Sequence, residues 1–229
     1  MTAVLGLVLL DTAFPRPPGD VGHPATFAPI DVRTRVVRGA VPARIVGGRD
    51  PAWLEPFVDA ARALVDEGVS AIVTSCGFLA RHQQAIAAAV PVPVWTSSLL
   101  LVPELDGALG PSRRAGVVTV DAASLGLPEL AGAGARADTP VAGLAADSAF
   151  RATLLGNRTA LDTAEAERAT VDAALRLVRA HPEVGAIVLE CTNMPPHAAA
   201  VHAATGLPVH DIVTLVRARF VSAAALEIA

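Results

Sequence analysis

Tyrosine is absent from this 229-residue chain, and aromatic residues make up only 3% of it. Surfaces that stack nucleobases or sugar rings are built from aromatic planes, so this scarcity argues against both kinds of ligand. Basic runs are missing too. The net charge is −4, and no stretch of arginine could track a phosphate backbone, so no nucleic-acid partner is expected. No apolar stretch approaches the ~20 residues of a membrane span, so no membrane partner is expected either. Cysteine is nearly absent: Cys76 and Cys191 are the only two.

The apolar run Val4–Leu10 superficially suggests a secretory leader. It has no positive residues before it, is seven residues long and ends at Asp11, so a buried strand is the expectation. The expected location is then the cytoplasm, where cysteines are free thiols rather than a disulfide. What the chain does hold is a core. Apolar residues, mostly Ala, Val and Leu, make up 52% of it and charged residues 17%. That is enough for one large domain or two small ones.

The chain contains one unit twice. Residues Ala71–Leu100 and Ala186–Leu215 align without a gap at a constant offset of 115. Ala-Ile-Val recurs, as do the cysteine, His82/His197, Pro93-Val94/Pro208-Val209 and Leu100/Leu215. Alanine matches mean little in this composition, whereas the cysteine match uses both cysteines of the protein. A second echo pairs Gly6–Asp11 with Gly116–Asp121, each an apolar strand closed by Asp. Strand-sized apolar runs (Val4–Leu10, Arg35–Val37, Ser70–Val73, Val92–Trp95, then Gly116–Val120, Val141–Leu144, Ala186–Leu189, Leu207–His210) alternate with helix-sized amphipathic segments. The latter are Trp53–Glu67, Phe78–Ala89, Thr163–Ala180 and His197–Ala204. This predicts an α/β fold of two pseudo-symmetric lobes, each a short parallel sheet flanked by helices, with the active site in the cleft between them. Residues 1–106 plus 211–229 form the first lobe and 107–210 the second. Gly107–Arg114 is the expected linker, and Ile212–Leu226 a helix returning to the first lobe.

In open parallel sheets ligands bind beyond the carboxyl ends of the strands. Cys76 and Cys191 both fall there, each just before a helix, where unpaired N–H groups favour anions, lower a thiol's pKa and can hold a carboxylate. Two lone cysteines are ordinarily small buried hydrophobes; their matched register is what points to chemistry. Thiols facing each other across a cleft could take a Cα proton on one side and return it on the other. The developing enediolate needs donors. Candidates are the backbone around Gly77 and Thr192, the hydroxyls of Thr74, Ser75, Thr119 and Thr192, and the Asn193 amide.

Thr74-Ser75-Cys76-Gly77 and Glu190-Cys191-Thr192-Asn193-Met194-Pro195 resemble the paired cysteine motifs of the aspartate/glutamate/hydantoin racemase superfamily. Asp11-Thr12 resembles the Asp-Ser pair of glutamate racemases. The resemblance covers nearly the whole chain. It implies pyridoxal-independent chemistry without a cofactor, Cys76 and Cys191 as the acid/base pair, and a homodimer. The expected function is a racemase or epimerase, an isomerase acting on a small amino acid or carboxylate derivative by two-base proton transfer. Alternatives are a maleate-type cis–trans isomerase with a covalent Cys76 adduct, or a non-catalytic carboxylate-binding module. Glutamate racemases carry Asn-Thr where this chain has Gly77-Phe78, and His where it has Asn193, which argues against glutamate itself.

Other candidates stay open. Asp11 either orients a thiol or substrate amine or caps the following loop. Arg16 either clamps a second carboxylate, which guanidinium pairs with bidentately, or sits in solvent. Glu190 would raise the pKa of a neighbouring thiol if it faces the cleft. Ser97, Ser98 and Asp211 are expected to cap helices, His82 and His197 to face solvent, and no His lies at metal-ligand spacing on the cysteine loops.

Overall fold

In the computed structural model, which describes residues 3–48 and 50–226, the chain forms two four-stranded, all-parallel sheets. The first has strand order β2-β1-β3-β4, from β1 (Val4–Leu10), β2 (Asp31–Val37), β3 (Ala71–Thr74) and β4 (Val94–Trp95). The second has the equivalent order β6-β5-β7-β8, from β5 (Arg114–Thr119), β6 (Val141–Gly143), β7 (Val184–Leu189) and β8 (Val209–His210). The helices of the first half are α1 (Pro42–Val46), α2 (Leu54–Asp66), α3 (Gln83–Ala88) and α4 (Val102–Leu109). Those of the second are α5 (Leu127–Gly132), α6 (Ala149–Leu155), α7 (Thr163–Ala180), α8 (Ala198–Thr205) and α9 (Ile212–Leu226).

The doubled sequence has a physical counterpart. Gly6 on β1 and Gly116 on β5 let a helix lie close on the central strand. A Cβ at Gly6 would stand 3.2 Å from Leu64 of α2, and one at Gly116 would stand 2.9 Å from Leu177 of α7. α2 buries Phe57, Val58, Ala61 and Leu64, whereas α7 buries mostly Ala166, Ala173, Ala174 and Leu177. The small side chains of α7 need the closer approach.

The opposite face of the first sheet is covered by α9. Its Ile212, Leu215, Val216 and Phe220 pack on Leu5, Leu7, Ala71 and Val73. Asp211 caps it, its carboxylate accepting the Thr214 N–H at 2.8 Å. A second and larger core runs without a break from Val8 and Phe57 through Phe78 to Phe150 and Leu189, across the boundary between the lobes.

Some local expectations change. β2 begins four residues before the expected run Arg35–Val37, because it is an edge strand whose Arg33, Thr34 and Arg35 remain exposed. The segment after Cys76 is a 3-10 helix, Gly77–His82, before it becomes α3. Gly107 lies inside α4, which ends at Leu109, so the chain crosses to the second sheet over residues 110–113.

Candidate active site

The residues preceding the two cysteines extend the sheets by one further rung. Ser75 N–H donates to Val8 O (2.9 Å) and Glu190 N–H to Val118 O (2.8 Å). Beyond each cysteine the chain turns back, with Leu79 N–H on Cys76 O and Met194 N–H on Cys191 O. Both thiols are thereby delivered to the carboxyl ends of β3 and β7, and both line one pocket between the lobes. Ser75, Gly77, Glu190, Thr192 and Asn193 also line it, with an apolar wall that includes Leu10, Phe14, Phe78 and Leu154. Both thiols are free and buried.

Burial reverses the expected effect of the turns on thiol acidity. Phe78 and Leu79 N–H groups and the Arg81 charge favour the Cys76 thiolate, but desolvation, followed by the nearby Glu190, pushes its pKa up to about 12. Cys191 is raised well above the ordinary thiol value, first by burial and then by Glu190. Only the Asn193 N–H pulls it down, while Cys76 and Asp20 add to the rise. The two sulfurs also differ in bonding. Cys191 Sγ is 3.6 Å from Asn193 Oδ1, to which its S–H donates.

Glu190 is the acid at the floor. It is fully buried; Oε2 accepts the Thr119 hydroxyl at 2.7 Å, and Oε1 has no hydrogen-bond partner among the described residues. Burial raises its pKa to about 8, against the opposing bond from Thr119. Gly77 makes room for it, since a Cβ there would lie 2.2 Å from Glu190 Oε1 and 2.5 Å from Glu190 O.

The remaining sequence candidates are distributed unevenly. The Thr74 hydroxyl donates inward to Thr96 O (2.7 Å), and Ser75 Oγ accepts the Leu10 N–H (2.9 Å). The Thr192 hydroxyl crosses the lobe boundary to Ser75 O (2.7 Å). Ser97 caps the next 3-10 turn, but Ser98 crosses the boundary instead, donating to Leu189 O (2.7 Å). Asp11 turns away from the cavity to accept the Gly39 N–H, with Arg38 3.6 Å away. Arg16 is held by Asp20 (2.7 Å) and the Thr12 hydroxyl (2.9 Å), over the Phe14 ring. His197, expected in solvent, is buried edge-on against Phe150.

Sequence reasoning missed Asp20. It is buried and bonds Asn193 across the boundary, but it lies in a Pro/Gly-rich loop with no counterpart in the repeat, so no pattern marked it. Among the described residues no group of three or more His, Cys, Asp or Glu could hold a metal ion, and no helix is long and apolar enough to cross a membrane.

Comparison with known proteins now separates fold from chemistry. No family model matches the chain. A dimethylsulfoniopropionate lyase of Durusdinium sp. clade D is 33% identical over 92% of this chain and 72% of its own length. The chain belongs to the dimethylsulfoniopropionate lyase family. Dimethylsulfoniopropionate lyases 7 and 6 of Emiliania huxleyi (strain CCMP1516) are 30% and 31% identical over 92% of the chain, which spans 64% and 57% of their lengths. Among solved structures, allantoin racemase from Klebsiella pneumoniae superposes with a TM-score of 0.66 at 19% identity, over 98% of this chain and 89% of that one. An arylmalonate decarboxylase gives 0.60 at 20%, over 97% and 92%. The fold of this chain is thus the one seen in allantoin racemase and arylmalonate decarboxylase. The expectation of an isomerase is corrected, because the sequence relatives are lyases. The motifs that suggested racemisation belong to a fold that several chemistries share.

Proposed function

We propose that this protein is a carbon–sulfur lyase that eliminates a dialkyl sulfide from a sulfonium-bearing propionate such as dimethylsulfoniopropionate, with Cys76 as the base. One observation carries the reading. Two buried thiols and a buried carboxyl face a single, mostly apolar cavity that no Arg, Lys or His side chain lines. A cation entering such a cavity is attracted by the acids and in turn favours their charged forms. The sulfonium therefore pulls the Cys76 thiol toward thiolate while the apolar wall receives its alkyl groups.

The thiolate removes the proton from the carbon next to the carboxylate, and the electron pair becomes the carbon–carbon double bond. The bond from the adjacent carbon to sulfur breaks, and neutral dimethyl sulfide leaves beside acrylate. The proton on Cys76 returns to solvent. A thiol with a high pKa is a stronger base once ionised, which suits a weakly acidic carbon. Backbone N–H groups around Gly77 and Thr192 would stabilise the enediolate. Elimination needs one base and no proton donor to carbon, so the second thiol has a lesser part than in a racemase.

Incubation with dimethylsulfoniopropionate should release dimethyl sulfide, seen by headspace gas chromatography, and acrylate in equal amount, seen by NMR. Cys76→Ser should lower the rate about 100-fold or more, and Cys191→Ser by about tenfold or less. A folded wild-type protein that releases no dimethyl sulfide would overturn the reading.

A further inference from the structure

One buried acid that the lyase chemistry leaves without a role is Asp20, 1% exposed, on the loop between β1 and β2. Its oxygens are divided between two tasks. Oδ1 accepts from Arg16 Nη1 (2.7 Å) and from the Gly22 N–H (2.8 Å). Oδ2 accepts from Asn193 Nδ2 at 2.6 Å, across the lobe boundary. A carboxylate can only accept, so it selects the NH2 end of the Asn193 amide. The amide oxygen must then point the other way, where it meets Cys191 Sγ at 3.6 Å. An amide oxygen also only accepts, so it selects the S–H form of that sulfur.

We propose that Asp20 is a positioning residue: through Asn193 it holds Cys191 as a hydrogen-bond-donating thiol, which leaves Cys76 as the base. This rests on the two thiols being the working groups of the lyase reading. The loop itself is anchored independently of Asp20's carboxylate. The Thr26 hydroxyl donates to Asp20 O, Val21 N–H donates to Thr192 O, and Arg217 of α9 donates to Thr26 O. The titratable groups around Cys191 are Glu190, its chain neighbour just past β7, Cys76 at the facing turn and Asp20, the last paired with Arg16.

Asp20→Asn tests this with little change of shape. Either orientation of the new amide sets donor against donor, at Arg16 and Gly22 on one side or at Asn193 on the other. In a Cys76→Ser background Cys191 is the sole thiol, and its rate of alkylation by iodoacetamide at pH 8.5 reports its thiolate fraction. Asp20→Asn should raise that rate about tenfold, the effect of one pH unit in the titration, and Asp20→Glu should restore most of the original value. The control is Cys76 alkylation in a Cys191→Ser background, which Asp20→Asn should leave unchanged. An unchanged Cys191 rate would overturn the proposal. So would an equal rise at both sulfurs, which would mean that the loop merely opens. Alkylation needs no substrate, so it judges Asp20 separately from the dimethyl sulfide assay that judges the lyase.

Discussion

Gly77 and Glu190 form one unit in this site. A buried carboxyl beside two thiols fits only because the facing residue has no side chain. Gly77→Ala would force Glu190 away, and the close contact with Glu190 O is backbone that cannot rotate aside. Overpacking of this kind costs about 1–3 kcal/mol. Urea unfolding should show a loss in that range for Gly77→Ala, and dimethyl sulfide release should fall with it. Sequence reasoning singled out the two cysteines and Glu190, which line one pocket, because the repeat marks the first and adjacency the second. It could not see that Glu190 reaches Gly77, since their proximity is created by two turns meeting from separate lobes. The same limit hid the partners of Asn193 and Ser98, which lie across the boundary.

The elements were more legible than their contacts. Apolar runs of strand length located all eight strands, and Thr163–Ala180 coincides with α7. The short helices α1, α5 and α6 escaped notice because Gly, Pro and Ala leave little helical periodicity to read. α5 nevertheless sets the lobe packing. Its Glu129, fully buried, pairs with Arg81 of the 3-10 segment at 2.7 Å, and a Cβ on Gly132 would meet Ala80 O at 2.1 Å. Removing one member of a buried pair strands the other charge, at a cost of about 3–5 kcal/mol. Arg81→Met should therefore destabilise strongly in urea, and Arg81→Met/Glu129→Leu should recover most of the loss. If the two changes simply add, the pair is not coupled as described.

At the scale of the whole molecule, Glu190 ties stability to pH. Its folded pKa of about 8 lies above the ordinary 4.5. Between these values the unfolded chain has released the proton while the folded chain keeps it. Stability therefore falls as pH rises from about 4.5 to about 8, and this contribution is flat outside that window. Glu190→Gln keeps an acceptor for Thr119 and removes the titration. Its melting temperature relative to wild type should climb between pH 5 and pH 8.5 by several degrees, the equivalent of a few kcal/mol. A constant difference across that range would contradict the assignment.

The bond from Cys191 to Asn193 also has a stereochemical consequence. The doubled fold offers a substrate carbon two similar walls, but the Cys191 thiol is turned to Asn193 Oδ1, so under the proposed lyase reaction only the wall bearing Cys76 acts as base. The two hydrogens on the carbon beside a propionate carboxylate are mirror-related and chemically identical in solution. Between unlike walls they are not, and under the proposed lyase reaction the wall bearing Cys76 would select which of them departs.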